Sequence, residues 1–459
     1  MGTFYVNPTG SDSNDGSAHD SAFLTIKHAV EVHTAAGSGD WGTGHTILVY
    51  PAASANHTYA ENSVINCQQS AIPSKLQQGM TIRAITGSYD VTIDFTNNSD
   101  GYGIKGYTYT KIEGFTFTGS TGGAGNPNAN AYVVSTANGA VGPIHVLNCT
   151  FDNCSGTQAN ATCVQLGHGS VYGGYVESIL ERCIFKNCHR PAVAHGLTAP
   201  HIRACLAHDC TSSYSTFDAG LGLIENCTAV RCRIKDSTTN YIFSVSVAGY
   251  SVAQIRNCVA AHCYTKGYLY NSSADPPISA SLAYDNIFDT SRLFKTATQH
   301  CSTAAPKFVK LSNTRATPSF ASNPWPVWED GSTGFFTGDD FHLKCGSPAS
   351  GSGTGHIAAG AFGHGSNTVI ASQSHDLDGI AYDSRTSLGP YRNMGCYDTG
   401  GPDQRMRYVD KTLTWVPGTT LTLRCVAGFS HKIIGVDGSS IDKFIGVEGD
   451  SIGAAIGVE

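Results

Sequence analysis

The chain has 459 residues, of which only 14% are charged and 52 are glycine, which suits an elongated, turn-rich β protein and excludes a helical bundle or coiled coil. Lys and Arg number 28 against 35 Asp and Glu, so a net charge of −7 leaves no basic excess for a nucleic-acid partner. No apolar run reaches membrane-spanning length, so no membrane insertion is expected.

Phe4-Tyr5-Val6 reads as a short strand and residues 7–20 as a Gly/Asp/Ser/Asn turn region. Leu24 to Ala36 has Ile26, Ala29 and Val30 at helical spacing with Thr25 as N-cap, a cap for the end of a solenoid. Asp12, Asn14, Asp15 and Asp20 could ligate calcium, but such clusters are usually only turns, and no cofactor is expected. No basic-then-apolar signal segment precedes Phe4. Either a signal was removed or the protein leaves its cell by another route, such as lysis. Thr46 to Tyr50, Met80 to Ile85 and Val91 to Phe95 are the next expected strands.

From Val146 to Cys263 the chain repeats one phrase five times. Cys149/Cys154, Cys183/Cys188, Cys205/Cys210, Cys227/Cys232 and Cys258/Cys263 each enclose four residues, and the copies are 34, 22, 22 and 31 residues apart. A fixed phrase at variable intervals suggests stacked units with loops of variable size. Leu147, Cys149 and Phe151 alternate with polar residues like a half-buried strand, and Asn153, Asn187 or Asp209 supplies a corner before the second cysteine. Phe115 and Ser120 take the cysteine places in an earlier copy, Asn286 and Ser291 in a later one. One strand per repeat makes a parallel β-helix that rises roughly 4.8 Å per rung. The cysteines read as an interior packing ladder. Disulfides and a metal site are the weaker alternatives, since zinc sites use tighter pairs, and no metal is expected.

Phe4-Tyr5-Val6, the run Gly10 to Gly16, and Phe23-Leu24-Thr25-Ile26 with Ala29-Val30 resemble the opening of right-handed parallel β-helix proteins of the pectate-lyase-like superfamily. Asp340-Phe341-His342-Leu343, Ser347-Pro348-Ala349, Asp376-Leu377-Asp378-Gly379 and Gly395-Cys396-Tyr397-Asp398 resemble its closing segment. The resemblance implies an all-β, right-handed, single-stranded parallel β-helix. A strand and cap helix occupy 1–45, the β-helix 46–345, its closing segment 346–400 and a small C-terminal β module 401–459. In that module Ile434 to Ile441 recurs as Ile445 to Ile452 with a period of 11 residues. Glycine in every Ile-Gly-Val disfavours helix, so strands such as Ile441 to Val447 between turns are expected. The tail is similar to repetitive tails of some phage structural proteins. Ile434, Val436, Ile441, Ile445, Val447 and Ile452 are its candidate assembly residues.

Two groups of residues could carry chemistry. Gly167-His168-Gly169 and Arg233-Ile234-Lys235 resemble polygalacturonase motifs, but the paired aspartates such enzymes use as acid and base are missing before Gly167. Aligning the strands after each second cysteine puts His168, His195 and Asp218 at one position on successive rungs. The favoured reading of that row is a polar ladder on a solvated face or satisfied histidines beside the core; the functional alternative is an acid/base set, with Arg190 or Lys235 to neutralise a substrate carboxylate. Tyr214, Phe217, Tyr241, Tyr264, Tyr268 and Tyr270 form an aromatic cluster that either packs under long loops, the favoured reading, or stacks on sugar rings. Tyr214, Tyr241 and Tyr264 are the binding residues singled out from it.

The sequence favours a structural subunit of a virion appendage or extracellular fibre that self-assembles through its C-terminal strands and binds surface glycans. The alternative is a polysaccharide lyase or hydrolase of the tailspike depolymerase kind. The expected location is extracellular or virion-associated.

Overall fold

The computed structural model describes residues 2–34, 44–67, 79–85, 90–98, 100–106, 110–119, 132–136, 144–154, 162–166, 178–194, 200–212, 214–234, 241–245, 254–256, 258–265, 270–272, 278–279, 282–284, 298–299, 305, 308–311, 339–343, 443–444 and 447–448. Its strands stack into three long parallel sheets of 11, 9 and 8 strands, here called sheets A, B and C. Each full turn visits A, then B, then C. One such turn runs Ile144–Leu147, Thr150–Asp152 and Thr162–Leu166.

Two left-handed corners close the turn between A and B and after B. Asn148 (φ 53°), Arg182, Ala204 and Asn226 stand at the first, and Asn153, Asn187, Asp209, Arg231 and His262 at the second. Each is the residue immediately before a cysteine. Asparagine tolerates positive φ, and Gly114 and Gly119 hold the same corners one rung earlier. The first corner corrects the sequence reading. Leu147 ends a sheet A strand and is half-buried on its outer side, so Leu147, Cys149 and Phe151 do not share one strand. The later copy is corrected too: Leu282–Tyr284 pairs with Val259–Ala261, ahead of Asn286 and Ser291, which lie outside the described residues.

The cysteines fill the inside of both corners. All twelve described cysteines are buried free thiols. Nine of the ten corner thiols reach back to a carbonyl of the preceding rung, among them Cys188 Sγ to Phe151 O at 3.2 Å, Cys210 Sγ to Phe185 O at 3.4 Å and Cys227 Sγ to Ile202 O at 3.6 Å. A small apolar side chain with a weak donor fits a tight corner and satisfies one carbonyl.

The core rows follow the register. Sheet A contributes Ile47, Ile82, Ile112, Val146, Leu180, Ile202, Ile224 and Ile255. Sheet B contributes Phe117, Phe151 and Phe185, stacked at 5.0 and 4.8 Å, and then Ala207, Ala229 and Ala260. Sheet C does the reverse, with Val134, Val164 and Ala192 followed by Phe217 and Phe243, 5.7 Å apart. Each rung therefore holds about one aromatic ring, which passes from sheet B to sheet C between Phe185 and Phe217, 6.0 Å apart. That keeps core volume nearly constant, as close packing demands.

At the N-terminal end the helix Ile26–Thr34 buries Ile26, Ala29 and Val30. Thr25 caps it as expected, accepting from His28 N at 3.2 Å. The buried Glu61 carboxylate also accepts from Ile26 N and Lys27 N, at 3.2 and 3.4 Å. Asp12 and Asp15 accept hydrogen bonds within the turn region, from Leu24 N, Thr25 N and Ser17 N among others.

Phe308–Lys310 pairs antiparallel with Asp340–Leu343 and lies against sheet B. Phe341 packs on the His208 ring at 4.8 Å. The fully buried Arg231 bonds Asp209 twice, at 2.6 and 2.7 Å, and reaches Asp339 at 2.6 Å. Burial alone would raise the Asp209 carboxyl, but Arg231 and His208 hold it below the usual carboxylate range. In the tail, Lys443–Phe444 pairs antiparallel with Val447–Glu448. The chain therefore reverses where a continuous Ile441–Val447 strand was expected.

Candidate functional site on the outer face of sheet C

Asp218 sits on the outward side of Phe217–Asp218 in sheet C. Its row reads, by register, Lys105, Ser135, Gln165, Val193, Asp218, Ser244 and Asn271. Gln165, Val193 and Ser244 are 4%, 1% and 6% exposed, so this outer row is sheltered from solvent. The carboxyl of Asp218 accepts from Gly220 N at 3.0 Å. Burial pushes it above its usual range, against the opposing pull of the Gly220 amide and the Arg190 charge.

Arg190 stands at a positive-φ position (47°) two residues beyond Cys188 and is 6% exposed. Its amide donates to Thr211 O at 2.7 Å and its carbonyl accepts from Cys163 N at 3.0 Å, which fixes the backbone beside sheet C. The guanidinium lies 4.2 Å from the ring centroid of Tyr214. Tyr214 is 42% exposed. Ser212 shapes its loop, donating to Ser215 O at 3.1 Å and accepting from Tyr214 N at 3.0 Å. The result is a sheltered carboxyl of raised proton affinity near a covered cation and an exposed aromatic face. Such a group can take or give a proton to a bound molecule.

The register corrects the expected histidine row. Val193, not His195, is the partner of Asp218, and Gln165, not His168, is the partner of Val193. His168, His195 and Lys235 lie outside the described residues. The aromatic cluster divides as well. Phe217 is core and Tyr264 is 4% exposed, while Tyr241 is half-buried and Tyr214 alone of these four is exposed. Tyr268 falls outside the described residues, and Tyr270 is known only by its pairing with Phe243. Of the assembly residues, Ile434, Val436, Ile441, Ile445 and Ile452 lie outside the described residues and Val447 is in the short tail pair. Gln165 and Ser244 were missed, because the chain between each second cysteine and its sheet C strand varies in length.

Residues 131–302 match the family model described as the right handed beta helix region. No curated protein matches the chain. Among solved structures the chain is similar to the pectate lyase Pel9A at 15% identity, covering 87% of this chain and 96% of that one, with a TM-score of 0.38. It is similar to a lacto-N-biosidase from Eubacterium ramulus at 11% identity, covering 66% and 67%, TM-score 0.38. It is also similar to a rhamnogalacturonan lyase at 13% identity, covering 61% and 87%, TM-score 0.30. The parallel sheets and the family-model match make the chain an all-β protein with a right-handed parallel β-helix. No helix among the described residues is long and apolar enough to cross a membrane.

Proposed function

We propose that this protein is an extracellular polysaccharide lyase or hydrolase that works on the outer face of sheet C. The observation that carries the reading is Asp218, an outward carboxyl of raised proton affinity in an otherwise uncharged, sheltered stretch of its row. Asp218 transfers the proton, Arg190 keeps its charge in check, and the free face of Tyr214 offers a platform for a sugar ring. Arg190 is covered, so a substrate carboxylate would need a different cation, and Lys235 stays the sequence-based choice.

The test is a panel of acidic and neutral polysaccharides read by unsaturated-product absorbance and by new reducing ends. Asp218→Asn should lower turnover by roughly 10²–10⁴-fold while leaving the melting curve intact. Full activity in Asp218→Asn would remove this residue from the chemistry. Glycan retention without cleavage across the panel would make the protein a binding module. Rods of uniform width in electron micrographs would favour the fibre subunit.

A further inference from the structure

The two cysteine files run along the corners, and at one rung a third thiol joins them. Cys163 opens the sheet C strand Thr162–Leu166, and its side chain belongs to the core. Val133 holds the matching place one rung earlier, between the pairs Tyr132 with Thr162 and Val134 with Val164. The sulfurs of Cys154, Cys163 and Cys188 all lie within 4.8 Å of one another. The three residues are 3%, 0% and 1% exposed.

We propose that Cys154, Cys163 and Cys188 form an interior binding site for a soft, three-coordinate cation of the copper(I) class. The donor set selects the ion. Among the described residues the cluster offers three sulfurs and no His, Asp or Glu ligand, which makes a soft site, and thiolates favour copper(I). Zinc takes four ligands in closed sites, and the described cluster offers three.

On turning to a metal the thiols give up weak bonds to backbone carbonyls. Those of Cys163 Sγ are long, 3.7 Å to Cys154 O and 3.6 Å to His189 O. Cys154 Sγ reaches Phe117 O at 3.4 Å, and Cys188 Sγ reaches Phe151 O and Lys186 O at 3.2 Å each. On binding, three S–H bonds break and three Cu–S bonds form. The protons pass to solvent and copper stays monovalent, so no oxidant or reductant is required. The Arg190 carbonyl accepts from the Cys163 amide at 3.0 Å, which holds the backbone of the third thiol in place.

The experiment titrates copper(I) into the full-length reduced protein under argon, against a chromogenic copper(I) chelator. The parent should hold one equivalent and show thiolate-to-copper absorption. Cys163→Val places in this rung the residue of the rung before it, so the fold is expected to persist by circular dichroism. Its affinity should fall by more than the roughly 10–100-fold that loss of an outer-shell partner costs. Cys163→Ala serves as the second variant, and Cys263→Ala, farther along one file, should bind like the parent. The proposal is overturned if the parent yields all its copper to the chelator or if Cys163→Val and Cys163→Ala bind as the parent does. A thiol count in denaturant that falls two short, revealing a disulfide, would overturn it as well.

Discussion

The exchange of aromatic rings between sheets B and C makes a quantitative prediction. Phe185 fills its rung from sheet B and faces Ala192 from sheet C. One rung later Ala207 and Phe217 hold the opposite arrangement. Phe185→Ala removes a fully buried ring stacked 4.8 Å from Phe151 and should cost about 3–5 kcal/mol. Ala192→Phe alone adds a ring to a full rung and should cost about 1–3 kcal/mol. The double variant copies the next rung, and its new ring can stack on Phe217 as Phe217 stacks on Phe243. Its loss should therefore fall short of the combined single losses by about 2 kcal/mol, a coupling expected only of residues that share a cavity. Urea denaturation followed by far-ultraviolet circular dichroism measures all four proteins at one pH. A double variant as unstable as the two single losses added together would refute the idea that each rung conserves its aromatic volume.

Glu61 gives a pH prediction. Burial pushes its carboxyl up to about 7 from an ordinary 4.5, although the Lys27 and Ile26 amides oppose this. A raised pKa means that the folded state holds the proton more tightly, so the stability is present below pH 4.5 and lost as pH rises through about 7. The difference corresponds to roughly 3 kcal/mol at most. Glu61→Gln should flatten the melting temperature across that window and melt higher at pH 8; parallel curves for both proteins would contradict it. Arg231→Met should cost about 3–5 kcal/mol, because two buried carboxylates lose their cation. Asp339→Asn should cost less and appear first as faster proteolysis near residues 339–343, and equal resistance in parent and variant would argue that the Arg231–Asp339 contact does not hold this strand down.

The stacking of rungs and the second corner were legible because four residues lie between paired cysteines in every copy, whatever the loops do. The first corner was misread because Leu147 and Cys149 fit an alternating strand, and only the positive φ of Asn148 separates them. Sheet C resists counting. Its strands begin at Thr162, Ala192, Phe217 and Phe243, at unequal distances from Cys154, Cys188, Cys210 and Cys232. A slip along such a strand changes the partner of every side chain, and a slip of one residue also changes its face, so the row on either side of Asp218 was not legible. The core place of Phe217 is hidden for a related reason: its rung carries alanine in sheet B, a long-range fact that no local pattern contains. Arg231 with Asp339 is longer-range still.

The outer faces of the three sheets treat charge differently, and that difference points to where chemistry can occur. In sheet A the outer row runs Arg83, Glu113, Leu147, Glu181, Arg203, Glu225 and Arg256, acids alternating with bases over much of its length. Arg203 gives two hydrogen bonds to one oxygen of Glu181, at 3.0 and 2.8 Å. Charges committed to each other are poor acids and bases. In sheet B the outer rows change from Thr150, Asp152 and Lys186 to the buried Leu206, Val230, Val259 and Ala261 on the rungs where Phe341 packs. That face is committed to packing. Sheet C instead flanks Asp218 with Val193 and Ser244, neither of which carries a charge, and Arg190 only partly offsets the burial that raises its carboxyl. Among the described residues Asp218 has no full ion-pair partner, and such a carboxyl keeps a proton affinity that a bound molecule can still change, the property on which general acid–base catalysis depends.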